Sequence, residues 1–166
     1  MTREVEVEER VGYMLKRAQQ ALRTAMDEAL RRRGLTTAQY AVLSALEAAP
    51  GLSGVALARR CFVTPQTINE IVTHLEAVGL VERRRGDDAR VLWAYLTTSG
   101  LDLVGACHQV VDTIEDRMVS GLSPREQRHL LADLHRCVAA LESASDPHTG
   151  EAHEPPDNRA RRGAVR

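Results

Sequence analysis

From about Glu4 to Arg33 apolar residues recur three and four positions apart, at Val7, Val11, Met14, Leu15, Ala18, Leu22, Ala25, Met26, Ala29 and Leu30, with no proline among them. That period predicts one amphipathic helix, about 45 Å long at ~1.5 Å per residue. A small domain has difficulty burying such a length alone, so the pattern by itself raises the expectation of a partner subunit. Gly34 closes the helix, where a left-handed cap costs glycine little.

The remaining elements are shorter. A second helix runs from Thr36 or Thr37 to about Ala48 and buries Tyr40, Val42, Leu43 and Leu46; Pro50-Gly51 stops it. Ser53 is placed to cap a short third helix containing Val55, Leu57 and Ala58. Thr64-Pro65 is a cap followed by proline at the first helical position. The fourth helix then runs to about Val78, buries Ile68, Ile71, Val72 and Leu75, and ends at Gly79. Two strands follow, Leu80 to Arg85 and the alternating Val91 to Leu96, joined by the turn Gly86-Asp87-Asp88-Ala89. A long helix from Thr97 to about Ser120 carries the stripe Leu101, Val104, Cys107, Val111, Ile114 and Met118. Ser123-Pro124-x-Glu126 opens the last helix with a capping-box signature, and its stripe holds Leu130, Leu131, Leu134, Val138 and Leu141. Beyond Ala144 no packing face remains, which predicts a disordered tail. The order is a helix-turn-helix followed by a β-hairpin, bracketed by long helices. The fold class expected is mainly α with a small β-hairpin wing, a winged helix-turn-helix.

Composition narrows the function. The 166 residues carry a formal net charge of −1, so indiscriminate coating of nucleic acid is not expected, although a local basic patch remains open. No apolar run approaches a membrane span, and the start MTREVEVEER is too charged for a secretory signal, so the expectation is a cytoplasmic protein without a membrane partner. Three cysteines without close pairs give neither a disulfide framework nor a metal motif. Gly-rich phosphate loops, nucleophile elbows and convincing Cys–His pairings are missing, so neither enzyme chemistry nor a cofactor is expected.

Against that balance, Arg83, Arg84 and Arg85 stand side by side, with Asp88 and Arg90 just beyond. As a solvated edge strand they discourage aggregation; on a narrow hairpin they are aimed at phosphates or at an A·T-rich minor groove. Asp88 suits holding Arg90 in one rotamer. The outward residues of the fourth helix are Gln66, Thr67, Asn69, Glu70, Thr73 and His74. Gln and Asn pair bidentately with adenine, Glu accepts from cytosine, and a threonine methyl meets thymine. This helix carries no lysine or arginine, so the wing must supply the cations.

The run LTTAQYAVLSAL, then LSGVALARRCFVTPQTINEIVTHLEAVGLVERRRGDDARVLWAYLTTSG, resembles the MarR family of bacterial transcriptional regulators, through Leu57-Ala58, LEAVGLVER, Asp88-x-Arg90 and Leu96-Thr97-x-x-Gly100 in that order. The resemblance implies a homodimer on a pseudo-palindromic operator of double-stranded DNA, most often as a repressor, released by a small-molecule effector or by oxidation. It divides the chain into an N-terminal dimerisation helix (1–34), a winged helix-turn-helix (35–99), C-terminal dimerisation helices (100–144) and a tail (145–166). The DNA-facing set is then Ser53, Gln66, Thr67, Asn69, Glu70, Thr73, His74, Arg83, Arg84, Arg85, Asp88 and Arg90. Glu70 and His74 stand where the family commonly has arginine, which shifts phosphate binding to the wing. Tyr13, Arg17, Tyr40 and His108 are candidates for an effector pocket between the first two helices, the fifth helix and the winged domain.

Other readings accompany these. Arg83 also suits packing its stem under the wing. Cys61, beside Arg59 and Arg60 at a helix start, suits either an oxidation sensor or a small buried hydrophobe. Cys107 and Cys137 lie on helix stripes and read as core. His108 and Asp112 have the spacing of two metal ligands but no third partner, so no metal is expected. A winged domain that has turned from DNA to protein partners is the remaining alternative.

Overall fold

The computed structural model describes residues 7–85 and 91–143. One 3-10 turn, Val7–Glu9, precedes α1 (Val11–Arg31). Helix α2 (Thr37–Ala48), strand β1 (Leu52–Ser53), α3 (Gly54–Arg60) and α4 (Pro65–Ala77) follow, then β2 (Val81–Arg85), β3 (Leu92–Leu96), α5 (Thr98–Val119) and α6 (Pro124–Glu142).

Local chemistry sets these boundaries. Thr36 and Gln39 form a capping box at α2, with Gln39 N donating to Thr36 Oγ1 at 3.2 Å and Thr36 N to Gln39 Oε1 at 2.8 Å. Ser53, Thr64 and Thr97 cap α3, α4 and α5 in the simpler way, and Ser123 with Glu126 completes the box read from the sequence. The first helix is shorter than its periodicity predicts, because the 3-10 turn breaks it before Val11; residues 1–6 lie outside the described residues.

The wing is more than a hairpin. β1 pairs with β3 in the register Leu52↔Ala94 and Ser53↔Trp93, giving an antiparallel sheet in the order β1-β3-β2. β3 is therefore the central strand, and both Trp93 and Ala94 are buried. One face of this strand does not simply look outward, contrary to its alternating pattern.

The core joins α2, α3, α4 and the wing to α5. Leu43, Leu46, Leu57, Ile68, Leu75, Val81, Val104 and Cys107 are fully enclosed, while α1 sends only Leu30 into the buried set. Asp27 ties α1 to α2: its Oδ1 accepts from Thr37 Oγ1 at 2.5 Å and from Thr37 N at 3.2 Å. These hydrogen bonds hold the Asp27 carboxyl below its ordinary range. α5 meets the wing through Gly100. A Cβ there would lie 2.1 Å from the Leu80 carbonyl oxygen, so only glycine permits this approach. Thr97 reinforces the joint, its N donating to Leu80 O at 3.1 Å and its Oγ1 to Gly79 O at 2.7 Å.

Helix α6 differs from the rest: it has no buried residue, and Leu130, Leu131, Val138 and Leu141 are exposed. Cys137 is exposed as well, which corrects its expected place in the core. The tail expected at 145–166 lies outside the described residues. No helix among the described residues is long and apolar enough to cross a membrane.

Candidate nucleic-acid interface

Helix α4 starts with an ordered N-terminus: Thr64 Oγ1 accepts from Thr67 N at 3.2 Å, and Pro65 occupies the first turn. Ile68, Val72 and Leu75 turn inward. Gln66, Asn69, Glu70, Thr73 and His74 are exposed on the other side, with Thr67 half-buried at its edge. Gln66 Nε2 donates to Glu70 Oε1 at 3.4 Å, so that pair is partly spoken for within the helix. Ser53 is occupied too, its Oγ accepting from Ala56 N at 3.3 Å as the α3 cap.

The wing approaches this helix because α4 reverses at Gly79, whose positive φ of 76° suits only a residue without Cβ. Gly79 N donates to Glu76 O at 3.0 Å and Leu80 N to Leu75 O at 2.9 Å, and β2 begins at once. The reversal lays Arg83 back along α4. Arg83 Nε and Nη2 donate to Glu76 Oε2 at 2.8 and 2.5 Å, Nη2 also to Thr73 Oγ1 at 3.3 Å, and Nη1 to Asn69 Oδ1 at 3.4 Å. Its side chain retains only 22% exposure, and the guanidinium holds the Glu76 carboxyl below its ordinary range.

The neighbouring arginines differ. Arg84 pairs with Glu82 and stacks over the Tyr95 ring, with its guanidinium carbon 4.6 Å from the centroid. Arg85 is exposed and has no ion-pair partner among the described residues. Asp88 and Arg90 lie outside the described residues.

The four effector candidates fall into two groups. Tyr40 and His108 meet between α2 and α5: the Tyr40 hydroxyl is 2.9 Å from His108 Nδ1, and His108 Nε2 is 2.5 Å from Glu47 Oε2. A carboxylate only accepts, so His108 Nε2 carries the hydrogen of the Glu47 contact. Burial pushes the Tyr40 phenol up. Tyr13 and Arg17 instead pair on α1, with Arg17 6.0 Å from the ring centroid. Arg17 lines a groove of about 910 Å³ between α1 and α5, together with Arg32, Arg33 and Arg117 over a floor of Ala21, Ala25 and Ile114. No hydrogen bond, ion pair or ring contact among the described residues joins the two groups. Cys61 is half-buried, and burial raises its thiol, the opposite of what a reactive thiolate requires.

Comparison with known proteins agrees with this geometry. Residues 33–90 match the model of the MarR family. The HTH-type transcriptional repressor Rv2887 of Mycobacterium tuberculosis is 36% identical over 119 residues, which span 71% of this chain and 86% of the repressor. The chain belongs to the MarR family. It is a DNA-binding transcriptional regulator of winged-helix architecture. Among solved MarR structures, the Rv2887 complex with salicylic acid superposes with a TM-score of 0.65 at 34% identity, covering 77% of this chain and 96% of that one. A mutant MarR from Escherichia coli complexed with operator DNA gives 0.70 at 25% identity, covering 76% and 91%.

Within this MarR chain, sequence reasoning missed two acidic residues. Glu76 and Glu47 sit on helices where a carboxylate reads as solvated surface. The available signal for Glu76 was its place one turn beyond Thr73, on the ridge that also carries Asn69, facing a strand of three arginines.

Proposed function

We propose that the protein is a ligand-responsive repressor that binds a pseudo-palindromic operator as a homodimer. One observation carries the reading: α4 presents Gln66, Asn69, Glu70, Thr73 and His74 to solvent beside a wing that offers Arg84 and Arg85. α4 enters the major groove, and the wing, to which the sequence assigns Asp88 and Arg90 as well, engages phosphates or the minor groove. Thr67 and Ser53 frame the helix ends, and Arg83 stands between wing and helix. A MarR structure complexed with operator DNA supports duplex DNA as the partner.

Exposed apolar side chains support a second copy: Val11 and Met14 on α1, Met118 on α5, Leu131, Val138 and Leu141 on α6. The salicylic acid complex of Rv2887 supports an effector. The arginine-lined groove beside Arg17 and Tyr13, and the Tyr40–His108 contact, are the places offered to it. A ligand there acts by binding the two spacings of the winged domains with different affinity.

The test is an anisotropy titration of the full chain against the DNA upstream of its own gene, at several salt concentrations, with sedimentation to give its mass. Saturable binding by a dimer that weakens steeply with salt is the expected outcome. A monomer, or no binding at low salt, refutes the reading and favours a winged domain that serves protein partners.

A further inference from the structure

Asn69, Thr73 and Glu76 follow one another at spacings of four and three, so they form one ridge on α4. Arg83 lies along this ridge from the wing side, anchored at one end by Glu76 and donating to the other two. α4 carries no lysine or arginine, so Arg83 gives it a guanidinium that its own sequence lacks. That guanidinium neutralises Glu76 first, and what remains acts on the orientation of two recognition side chains.

The hydrogen-bond inventory makes the orientation specific. Asn69 Oδ1 accepts from Arg83, which turns the amide Nδ2 and its two hydrogens away from the wing arginine. Thr73 Oγ1 accepts from Arg83 as well, leaving its own hydrogen to donate elsewhere. Both side chains then offer donors. In the major groove guanine shows two acceptors, N7 and O6, whereas the bidentate asparagine–adenine pair requires Oδ1 to turn outward and accept from N6. That rotation loses the hydrogen bond from Arg83.

We propose that the Glu76–Arg83 pair is a specificity device that holds Asn69 and Thr73 as donors, so that α4 reads the acceptor edge of guanine and disfavours adenine at the base facing Asn69. The proposal rests on the DNA-binding reading above. It makes Arg83 a positioning residue and Glu76 its anchor.

The experiment selects duplexes from a random-sequence pool with the full chain and with Asn69→Ala, Glu76→Gln and Arg83→Met. Asn69→Ala identifies the base position concerned. The wild type is expected to prefer guanine there and to lose about tenfold in affinity when that guanine is replaced by 7-deazaguanine, within the range of a good base contact. In Glu76→Gln and Arg83→Met the preference moves to adenine, and the deaza penalty shrinks to about twofold. Glu76→Gln also frees one cation, so the slope of log affinity against log salt steepens by about one, while Arg83→Met shows no steepening. A merely structural pair lowers melting temperature and weakens all sequences equally; an unchanged base profile in both variants overturns the proposal, as does a wild-type preference for adenine at that position. Absence of any duplex binding by the wild type overturns the DNA reading itself and is told apart by that result.

Discussion

Gly100→Ala tests the joint between wing and α5. The added methyl would sit 2.1 Å from the Leu80 carbonyl oxygen, where 3.4 Å is ordinary contact, and 3.3 Å from Leu96 Cδ2. The Leu80 carbonyl is backbone and already accepts from Thr97 N, so it cannot swing aside as a side chain would. Relief requires β2 and α5 to part by about 1.3 Å. Overpacking of this kind costs about 1–3 kcal/mol, and an alanine in a helix returns up to about 1 kcal/mol through propensity. The net expectation is a loss of about 1 kcal/mol, which lowers Tm by roughly 2–4 °C in a domain of this size. Denaturation at fixed protein concentration measures the stability, and operator titration measures the wing. Both should fall together, because the wing hangs on this joint. A variant as stable as the wild type, with unchanged DNA affinity, refutes the argument that the close approach sets the wing's position.

Three further outcomes are expected. Phe62 is 95% exposed at a positive φ of 55°, so Phe62→Gly loses little burial and removes the left-handed penalty; stability should rise by about 1 kcal/mol in urea denaturation, and a clear loss would show that the ring has a packing role. The Asp27 carboxyl, lowered by its hydrogen bonds to Thr37, stabilises the fold fully above its ordinary value of 3.8 and loses that contribution as pH falls through the lowered folded value. Asp27→Asn should therefore be less stable at neutral pH and show a flatter decline of stability below about pH 5; parallel acid profiles would contradict this. Deleting residues 146–166 should leave the sedimentation mass that of a dimer, and a monomeric product would assign the tail to the interface.

The helices were legible because their cores repeat at the helical period and their ends carry side-chain caps: Thr64-Pro65 and Ser123-x-x-Glu126 mark starts in the sequence itself. Strand β1 was not legible. Two residues have no periodicity, and Leu52 and Ser53 become a strand only because Ala94 and Trp93 arrive beside them. The outward face of α4 was readable from the same period that placed Ile68, Val72 and Leu75 inside. The commitment of Arg83 to Glu76 was not, since it depends on the exact reversal at Gly79. Cys137 misled for a related reason: periodicity shows that a helix has an apolar face, not which chain covers it. Arg90 and Asp88, the wing residues given most weight in the sequence, lie outside the described residues and remain proposals.

Helix α6 has no fully buried residue, yet its start is well capped. A helix in a protein draws most of its stability from packing of its apolar face rather than from intrinsic propensity, and the nineteen residues of α6 have an exposed apolar stripe. With the second copy proposed above, the order of α6 becomes a function of how many copies surround it. Dilution should then melt α6 ahead of the winged core, lowering helix content while the wing persists. On that proposal the regulator senses its own abundance: binding that needs two copies fades by mass action when synthesis slows.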